Sequence, residues 1–399
     1  MLNRHGSYRR LLYRCSLWVM ALGISLVITG AGTCCGASSG QSAPSALAEP
    51  SLERMLGAML MLGFRGTQLA QDDPFLQEIR AGRVGHVILF DRDQTNKGIR
   101  NIESPEQVRR LTTDVRAAAP GPMLIAVDQE GGQVRRLKPE QGFMDLPSAQ
   151  RMGQESVHAS RVQGQELGRE LAGLGINLNL APVADVNVDP FSPSIGQLGR
   201  SFNTDPQQVA RHVIAFGQGL AESGVIPTLK HFPGHGSARA DSHLGIADIS
   251  LSWDGGSELL PYAEAFAANW PGMVMLGHLY HARLDPQHPA TLSRMVVSGL
   301  LRQGLGWQGV IISDDLQMKA ISDHYGLEEA ILLAVEAGVD ILLFGNNLEW
   351  DADLPRKAYA TLRGLVDSGR ISPARIRQSW ERIALLLGSY PQWHSHARP

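Results

Sequence analysis

The sequence predicts an α/β fold in which eight parallel strands alternate with helices in a single (β/α)8 TIM-type barrel. Short apolar runs rich in Val, Ile and Leu recur eight times, and stretches with helical periodicity separate them. No Pro/Ser-rich linker divides the chain after about residue 50, which favours one domain of eight βα units. An open, doubly wound sheet is the alternative that the same alternation allows.

The eight apolar runs have the length and composition of buried parallel strands. In chain order they are MLMLGF, VGHVILF, PMLIAVD, INLNLAPVADV, IPTLKHF, GMVMLGH, GVIISDD and VDILLFG. The stretches between them include SPEQVRRLTTDVRAAA, DPQQVARHVIAFGQGLAES and LEEAILLAVEAG, each with apolar residues at helical spacing. The stretch ISPARIRQSWERIALLLGSY predicts a last helix packed on the outside of the barrel.

Residues 1–48 differ in composition from the rest and predict an export signal followed by a small-residue linker. A basic start, RHGSYRRLLYR, precedes an apolar run at residues 17–31, which is shorter than the ~20 residues of a typical membrane span. Cleavage after ALA at 46–48, a lipid on Cys34 or Cys35, a twin-arginine signal at Arg9 and Arg10, and an uncleaved anchor remain alternatives. We therefore expect an exported protein, in the periplasm or at the cell surface, with residues 49–399 forming the barrel.

Charge and cysteine usage exclude several classes of function. The chain has 36 basic and 39 acidic residues, and no basic run beyond its N-terminus, so it lacks the charge pattern of a nucleic-acid-binding protein. All three cysteines lie in the leader, at positions 15, 34 and 35. The barrel therefore needs no disulfide and offers no thiol nucleophile or thiolate metal site.

Polar residues follow the predicted strands at their carboxyl ends. The segments concerned are AVDQEGGQVRR, APVADVNVDP, KHFPGHG, GHLYH, SDDLQM and FGNN. Because the carboxyl ends of barrel strands meet at one rim, where barrel enzymes carry their active sites, we expect a single site there.

Two pairs of residues are candidates for the chemistry of this site. Asp314 and Asp315 end the seventh run, and adjacent strand residues point to opposite faces. One carboxylate is therefore expected to face the barrel mouth and the other to cap the next turn. Asp241 and His243 are two positions apart in the run DSH. A carboxylate so close would fix the imidazole tautomer and favour the protonated ring, as an acid catalyst requires.

A further set of residues mixes hydrogen-bond donors with acceptors, which suits a ligand dense in hydroxyls and carbonyls, such as a sugar. Its members are Asp128, Arg136, Arg200, Lys230 and His231. For any one of them, a structural ion pair is the alternative.

A metal site is the alternative for the histidines His231 and His235, which are four positions apart. Pro233 and Gly234 prevent the helix that would place both rings on one face, and hydrolytic metal sites need several convergent ligands. We therefore expect no metal.

Together, KHFPGHG followed by DSH, SDDLQM further along and VDQEGGQVRR upstream resemble glycoside hydrolase family 3. More narrowly they resemble its β-N-acetylglucosaminidase branch, enzymes that trim peptidoglycan fragments, from about Leu56 to about Arg382. The resemblance implies that Asp314 is the nucleophile and that His243 is the general acid/base, paired with Asp241. It also implies that the matching residues bind the terminal sugar, namely Asp128, Arg136, Arg200, Lys230 and His231.

The resemblance implies an activity, and the sequence departs from the branch at two points. The implied enzyme is a retaining exo-β-N-acetylglucosaminidase acting on peptidoglycan-type or chitin-type oligosaccharides, without a cofactor. The export leader and the spacing in GQLGRSF are the departures, whereas we expect no domain after the barrel, which agrees with a histidine acid/base. Alternatives are a family 3 β-glycosidase with another sugar preference, a metal-dependent amidohydrolase and a non-catalytic sugar-binding protein. We expect a carbohydrate substrate, no nucleic-acid partner and a monomer.

Overall fold

The structure, a computed structural model, describes residues 50–240 and 245–393. The predicted leader and the pair Asp241 and His243 lie outside these residues. Eight parallel strands form the centre of the described part. They are β1 (Leu60–Gly63), β2 (His86–Leu89), β3 (Ile125–Val127), β4 (Leu178–Asn179), β5 (Ile226–Phe232), β6 (Met273–Leu276), β7 (Ile311–Ile312) and β8 (Leu342–Phe344).

The strands close into a barrel. They are hydrogen-bonded in the order β7-β6-β5-β4-β3-β2-β1-β8, and every pairing is parallel. A parallel bridge between Ile312 and Ile341 joins β7 to the residue before β8. The predicted (β/α)8 barrel is therefore confirmed, and the open sheet is excluded. Each observed strand lies within one of the eight apolar runs.

The fourth strand is much shorter than its run predicts. INLNLAPVADV predicts one continuous strand, but β4 ends at Asn179. Pro182 has no backbone N–H to donate to a ladder, and only an isolated bridge from Val183 to Lys230 continues the pairing beyond it. The second half of the run, including Asp185, therefore belongs to the rim.

Helices connect the strands and surround the barrel. They are α1 (Leu52–Ala58), α2 (Pro74–Arg80), α3 (Pro105–Ala118), α4 (Ala149–Met152), α5 (Val157–Gly173), α6 (Pro206–Glu222), α7 (Gly255–Glu258), α8 (Leu260–Ala267), α9 (Lys319–Ser322), α10 (Leu327–Ala337), α11 (Leu354–Asp367) and α12 (Pro373–Gly388). A π-helix, Met295–Gly304, precedes β7. Helices α3, α6 and α12 each begin with a Ser or Asp whose side chain accepts a backbone N–H, followed by Pro at the first position.

The two ends of the barrel differ. Side chains of α12 and of the turn after it, Leu387, Tyr390 and Trp393, pack with the apolar residues inside the barrel. The Tyr390 hydroxyl donates to the Pro271 carbonyl at 2.7 Å, and Trp393 Nε1 donates to the Gly224 carbonyl at 2.7 Å. The last helix therefore covers the amino ends of the strands as well as the outer wall, and the opposite rim carries the loops described below.

No helix within the described ranges combines the length and the apolar character that a membrane span requires.

Candidate active site

A cavity of about 350 Å³ opens among the loops at the carboxyl ends of the strands. Its apolar floor belongs to the barrel interior and includes Ile88, Leu180, Met275 and Leu343. Six of the eight predicted site residues line its walls, namely Asp128, Arg136, Arg200, Lys230, His231 and Asp314. The other two, Asp241 and His243, lie outside the described residues.

Asp128 and Arg136 are brought together by a hairpin that follows β3. Gln129–Gly131 pairs antiparallel with Val134–Arg135, and the turn between them uses glycines at φ +96° and +58°, a backbone region that favours glycine. The hairpin returns Arg136 to Asp128, with Nη2 3.3 Å from Oδ2. The motif DQEGGQVRR therefore forms one small structural unit at the cavity wall.

Lys230, near the end of β5, forms ion pairs with two carboxylates of this hairpin. Its Nζ lies 2.9 Å from Asp128 Oδ1 and 2.7 Å from Glu130 Oε1. Burial alone would raise the pKa of the Asp128 carboxyl, but the charges of Lys230 and Arg136 outweigh it and hold the pKa below its ordinary value. Asp128 is therefore an ionised acceptor at neutral pH.

Glu130 fixes Arg200, which reaches the cavity from the loop after β4. Arg200 Nε lies 2.7 Å from Oε2 and Nη2 lies 2.8 Å from Oε1, a two-point ion pair. Arg200 Nη1 also donates to the Ser194 carbonyl at 2.8 Å. Burial would raise the Glu130 pKa, but Arg200 and Lys230 hold it far below its ordinary value.

His231 is held from behind by Asp185. His231 Nδ1 lies 2.7 Å from Asp185 Oδ2, and Asp185 Oδ1 accepts the backbone N–H of His231 at 3.1 Å. Because a carboxylate only accepts, Nδ1 carries the proton, and Nε2 is left facing Arg200 Nη2 at 3.4 Å. Asp185 is fully buried, yet its interaction with His231 keeps its pKa below the ordinary value against the effect of burial.

Asp314 and Asp315 both line the cavity, but they accept hydrogen bonds from different backbone groups. Asp315 Oδ1 accepts the backbone N–H of Gln317 and of Gly345, each at 3.0 Å, and so supports the turn after β7 and the end of β8. A Cβ on Gly345 would lie 2.4 Å from Asp315 Oδ2, which explains the glycine. Asp314 Oδ1 likewise accepts the backbone N–H of Asp315, at 2.8 Å. The expectation that only one of the two carboxylates faces the barrel mouth is therefore wrong, and Asp314 as the nucleophile stays a prediction.

The first residues of the loop after β5 donate backbone N–H groups to two buried acidic side chains. This loop leads to Asp241 and His243. Asp185 Oδ1 accepts the His235 N–H at 2.8 Å, and Glu258 accepts the N–H groups of Gly236 at 3.2 Å and Ser237 at 3.1 Å. Burial, followed by the charge of Asp185, raises the pKa of Glu258 to about 8. Glu258 is therefore largely protonated at neutral pH.

The last residues of the same loop are also fixed, by a short strand pairing. Ala247–Asp248 pairs in parallel with Leu279–Tyr280, which follow β6. A small apolar cluster of Ala238, Ala247, Ile249 and Leu279 lies beneath it. Described residues thus fix the chain on both sides of positions 241–244.

Sequence reasoning missed three carboxylates of the site. Glu130 lies inside the DQEGG motif and Asp185 inside APVADV, so both were visible as rim residues, but their partners are 70 and 46 positions away. Glu258 follows no apolar strand, and no sequence signal connects it with Gly236. Within the described residues, no group of three or more His, Cys, Asp or Glu is placed to hold a metal ion.

Comparison with known proteins identifies the family. The sequence model described as "Glycosyl hydrolase family 3 N terminal domain" matches residues 51–386. The chain belongs to glycosyl hydrolase family 3. It is 34% identical over 378 residues to beta-hexosaminidase A of Pseudoalteromonas piscicida, covering 85% of this chain and 61% of the relative. It is 38% identical over 289 residues to beta-hexosaminidase LpqI of Mycobacterium tuberculosis, covering 70% and 72%.

A solved structure gives the same result for the fold. The glycoside hydrolase family 3 beta-N-acetylglucosaminidase of Paenibacillus sp. str. FPU-7 superimposes with a TM-score of 0.78 at 34% identity, covering 88% of this chain and 64% of that one. The chain thus spans less than two thirds of this enzyme and of the Pseudoalteromonas relative, but 72% of LpqI. The predicted family is confirmed, and the expected class of glycoside hydrolase agrees with the names of these relatives.

Proposed function

We propose that this chain is a retaining exo-β-N-acetylglucosaminidase, which removes terminal β-linked N-acetylglucosamine from peptidoglycan-type or chitin-type oligosaccharides. The main support is one observation. The charged donors and acceptors that we predict to bind the sugar line the same cavity as Asp314. The relatives named beta-hexosaminidase agree with this choice of sugar.

The shape of the cavity supports attack at the end of a glycan. Its floor consists of barrel side chains such as Leu180 and Met275, and α12 covers the other end of the barrel. The cavity therefore ends at the barrel interior, and we propose that it holds the terminal sugar of a glycan.

The charges in the cavity suit a hydroxyl-rich sugar. Asp128 can accept hydrogen bonds from sugar hydroxyls, while Lys230, Arg136 and Arg200 can donate to hydroxyl and carbonyl oxygens. Each of these groups is already oriented by a partner on the protein, so binding requires little side-chain ordering. Such pre-organisation favours discrimination between sugars that differ by one polar group.

The proposed reaction is a double displacement. Asp314 attacks the anomeric carbon while His243, as imidazolium, protonates the departing oxygen, and a glycosyl-enzyme ester forms. His243, now neutral, takes a proton from the water that hydrolyses the ester. A histidine in this role places no second negative charge beside Asp314, and Asp241 would stabilise its protonated form.

The test is turnover of an aryl β-N-acetylglucosaminide against an aryl β-glucoside by the purified full chain, with and without a chelator. We expect strong preference for the N-acetylated substrate, no effect of the chelator, and the β-anomer as the first product by NMR. A preference for the glucoside would indicate a family 3 β-glycosidase with another specificity. Loss of activity with the chelator, or an α-anomer as first product, would contradict the mechanism.

We further propose that residues 1–48 direct export and that the barrel acts as a monomer outside the cytoplasm, with or without a lipid on Cys34 or Cys35. The support is the composition of this segment, a basic start followed by an apolar run and small residues. Fractionation of cells that express the full chain tests the export, the intact mass of the product tests cleavage and lipidation, and size-exclusion chromatography tests the monomer. A cytoplasmic product of full-length mass would contradict the proposal.

A further inference from the structure

Exposed apolar side chains concentrate around the mouth of the barrel. Eight large hydrophobic residues in the described ranges are exposed, and six of them lie on loops that follow strands, namely Ile99, Val188, Phe191, Ile246, Leu251 and Leu348. Phe191 is the aromatic member of this set and is 79% exposed. An aromatic ring held in water at the rim of a sugar-binding cavity is a candidate contact for substrate.

Asp189 ties Phe191 to the loop that leads to the predicted proton donor. Asp189 Oδ1 accepts the Phe191 N–H at 2.9 Å, and Oδ2 accepts from Arg239 Nε at 3.1 Å. The Asp189 N–H donates to the Gly236 carbonyl at 3.2 Å. Arg239 is two positions before Asp241, so the backbone of Phe191 is fixed beside the start of the acid/base segment.

The same loop also reaches the cavity wall. Gln197 Nε2 donates to the Phe191 carbonyl at 3.1 Å, and the next residue, Leu198, lines the cavity, as does Arg200. Phe191 is therefore held between the cavity wall on one side and the loop after β5 on the other. The backbone of Phe191 is therefore fixed by hydrogen bonds to both neighbouring turns.

We propose that Phe191 is a specificity-determining residue that binds the leaving-group sugar by stacking against a pyranose ring. This inference rests on the proposed function. The proton donor acts on the glycosidic oxygen, which joins the terminal sugar in the cavity to the leaving group. We therefore expect the leaving-group sugar near the loop after β5, whose described residues Gly236 and Arg239 are hydrogen-bonded to Asp189. The apolar face of a pyranose ring covers an aromatic ring well and removes it from water.

The test compares a substrate that has a leaving-group sugar with one that has none. The disaccharide N,N′-diacetylchitobiose would contact Phe191, whereas N-acetyl-β-glucosaminyl fluoride has no ring beyond the terminal sugar. We expect F191A to lower kcat/KM about 3- to 10-fold for the disaccharide, the usual contribution of an aromatic contact, and to change it less than about twofold for the fluoride. F191W should retain activity on both.

Leu385→Ala is the matched control, since Leu385 is 74% exposed on α12, far from the rim. It should leave the ratio of the two kcat/KM values unchanged. An equal loss of F191A on both substrates, or no loss on the disaccharide, would overturn the inference while the proposed function stands. Failure of the wild-type chain to hydrolyse either substrate would overturn the proposed function and this inference with it.

Discussion

Asp185 lies fully buried behind His231, and its carboxylate accepts a hydrogen bond from the His231 ring at 2.7 Å. The same carboxylate accepts the backbone N–H groups of His231 and His235. One side chain therefore orients a residue of the predicted sugar site, the end of β5 and the start of the next loop.

Asp185→Asn is expected to lower kcat/KM about 10- to 100-fold, chiefly through KM, because a hydrogen bond to a buried charge is lost and the His231 ring is no longer held in one tautomer. Steady-state kinetics over a range of pH measure the effect. Asp248→Asn is the control, since Asp248 is exposed and caps a turn through Ser250. Wild-type kinetics for Asp185→Asn would show that Asp185 does not position His231.

Asp314→Asn is expected to lower turnover at least about 10³-fold, because an amide is a poor nucleophile. Asp315→Asn should retain most activity, since the Asn oxygen can still accept the N–H groups of Gln317 and Gly345. A fluorinated slow substrate followed by peptide mapping identifies the labelled carboxylate. A label on Asp315 would reverse the assignment of the two residues.

His243→Ala should affect substrates in proportion to how much their leaving groups need a proton. Glycosides with a sugar leaving group should lose about 10²- to 10⁴-fold, whereas an aryl group of low pKa should lose little in the first step. The second step also needs His243 as base, so the covalent intermediate should accumulate and give a burst. A uniform loss across a series of aryl leaving groups would exclude His243 as the acid.

Asp241→Asn should be milder and should change the pH profile in one direction. Removing a carboxylate disfavours the imidazolium form, so the pKa of His243 falls and the basic limb of the kcat/KM profile moves to lower pH. A basic limb that stays in place, or moves to higher pH, would contradict the pairing of the two residues. His243→Ala in the same experiment identifies which limb belongs to the histidine.

Glu258 should make the stability of the protein depend on pH. Its pKa is about 8 in the folded protein, against an ordinary value of 4.5, so the folded state keeps a proton that the unfolded chain has released. The free energy of unfolding contributed by this group therefore falls as pH rises from about 4.5 to 8, and is constant above.

Glu258→Gln removes this dependence but loses one acceptor of the Gly236 and Ser237 N–H groups. We expect the melting temperature of the variant to lie below that of the wild type at pH 5, with the gap narrowing or reversing by pH 8.5. Glu264→Gln, an exposed change on the neighbouring α8, serves as control. A melting-temperature difference that is the same at both pH values would show that Glu258 does not hold the proton.

The fold was predictable because local patterns determine it. Runs such as VGHVILF and VDILLFG are apolar throughout, and a strand buried on both faces requires just that composition. Helix starts such as Ser104-Pro105 also carry their own signal, because the cap and the proline act within one turn. The predicted length of β4 was wrong, because the prediction used the apolar run alone and did not include the effect of Pro182.

The site was predictable only in part. Its motifs contain the residues that we predict to contact the sugar, but the carboxylates that orient them lie far away in the sequence. Arg200 depends on Glu130 and His231 depends on Asp185, and both partners are fixed by the order of strands in the barrel rather than by sequence spacing. Contacts of this kind follow from closure of the sheet and have no local sequence signature.

Closure of the barrel has a consequence for synthesis of the chain. Leu60 of β1 pairs with Leu342 of β8, which the ribosome adds roughly 280 residues later. At about 5–20 residues per second, β1 waits roughly 15 to 60 seconds for its last neighbour. During that time the edge of β1 that later pairs with β8 has no partner from its own chain, and an unpaired edge can pair with another chain.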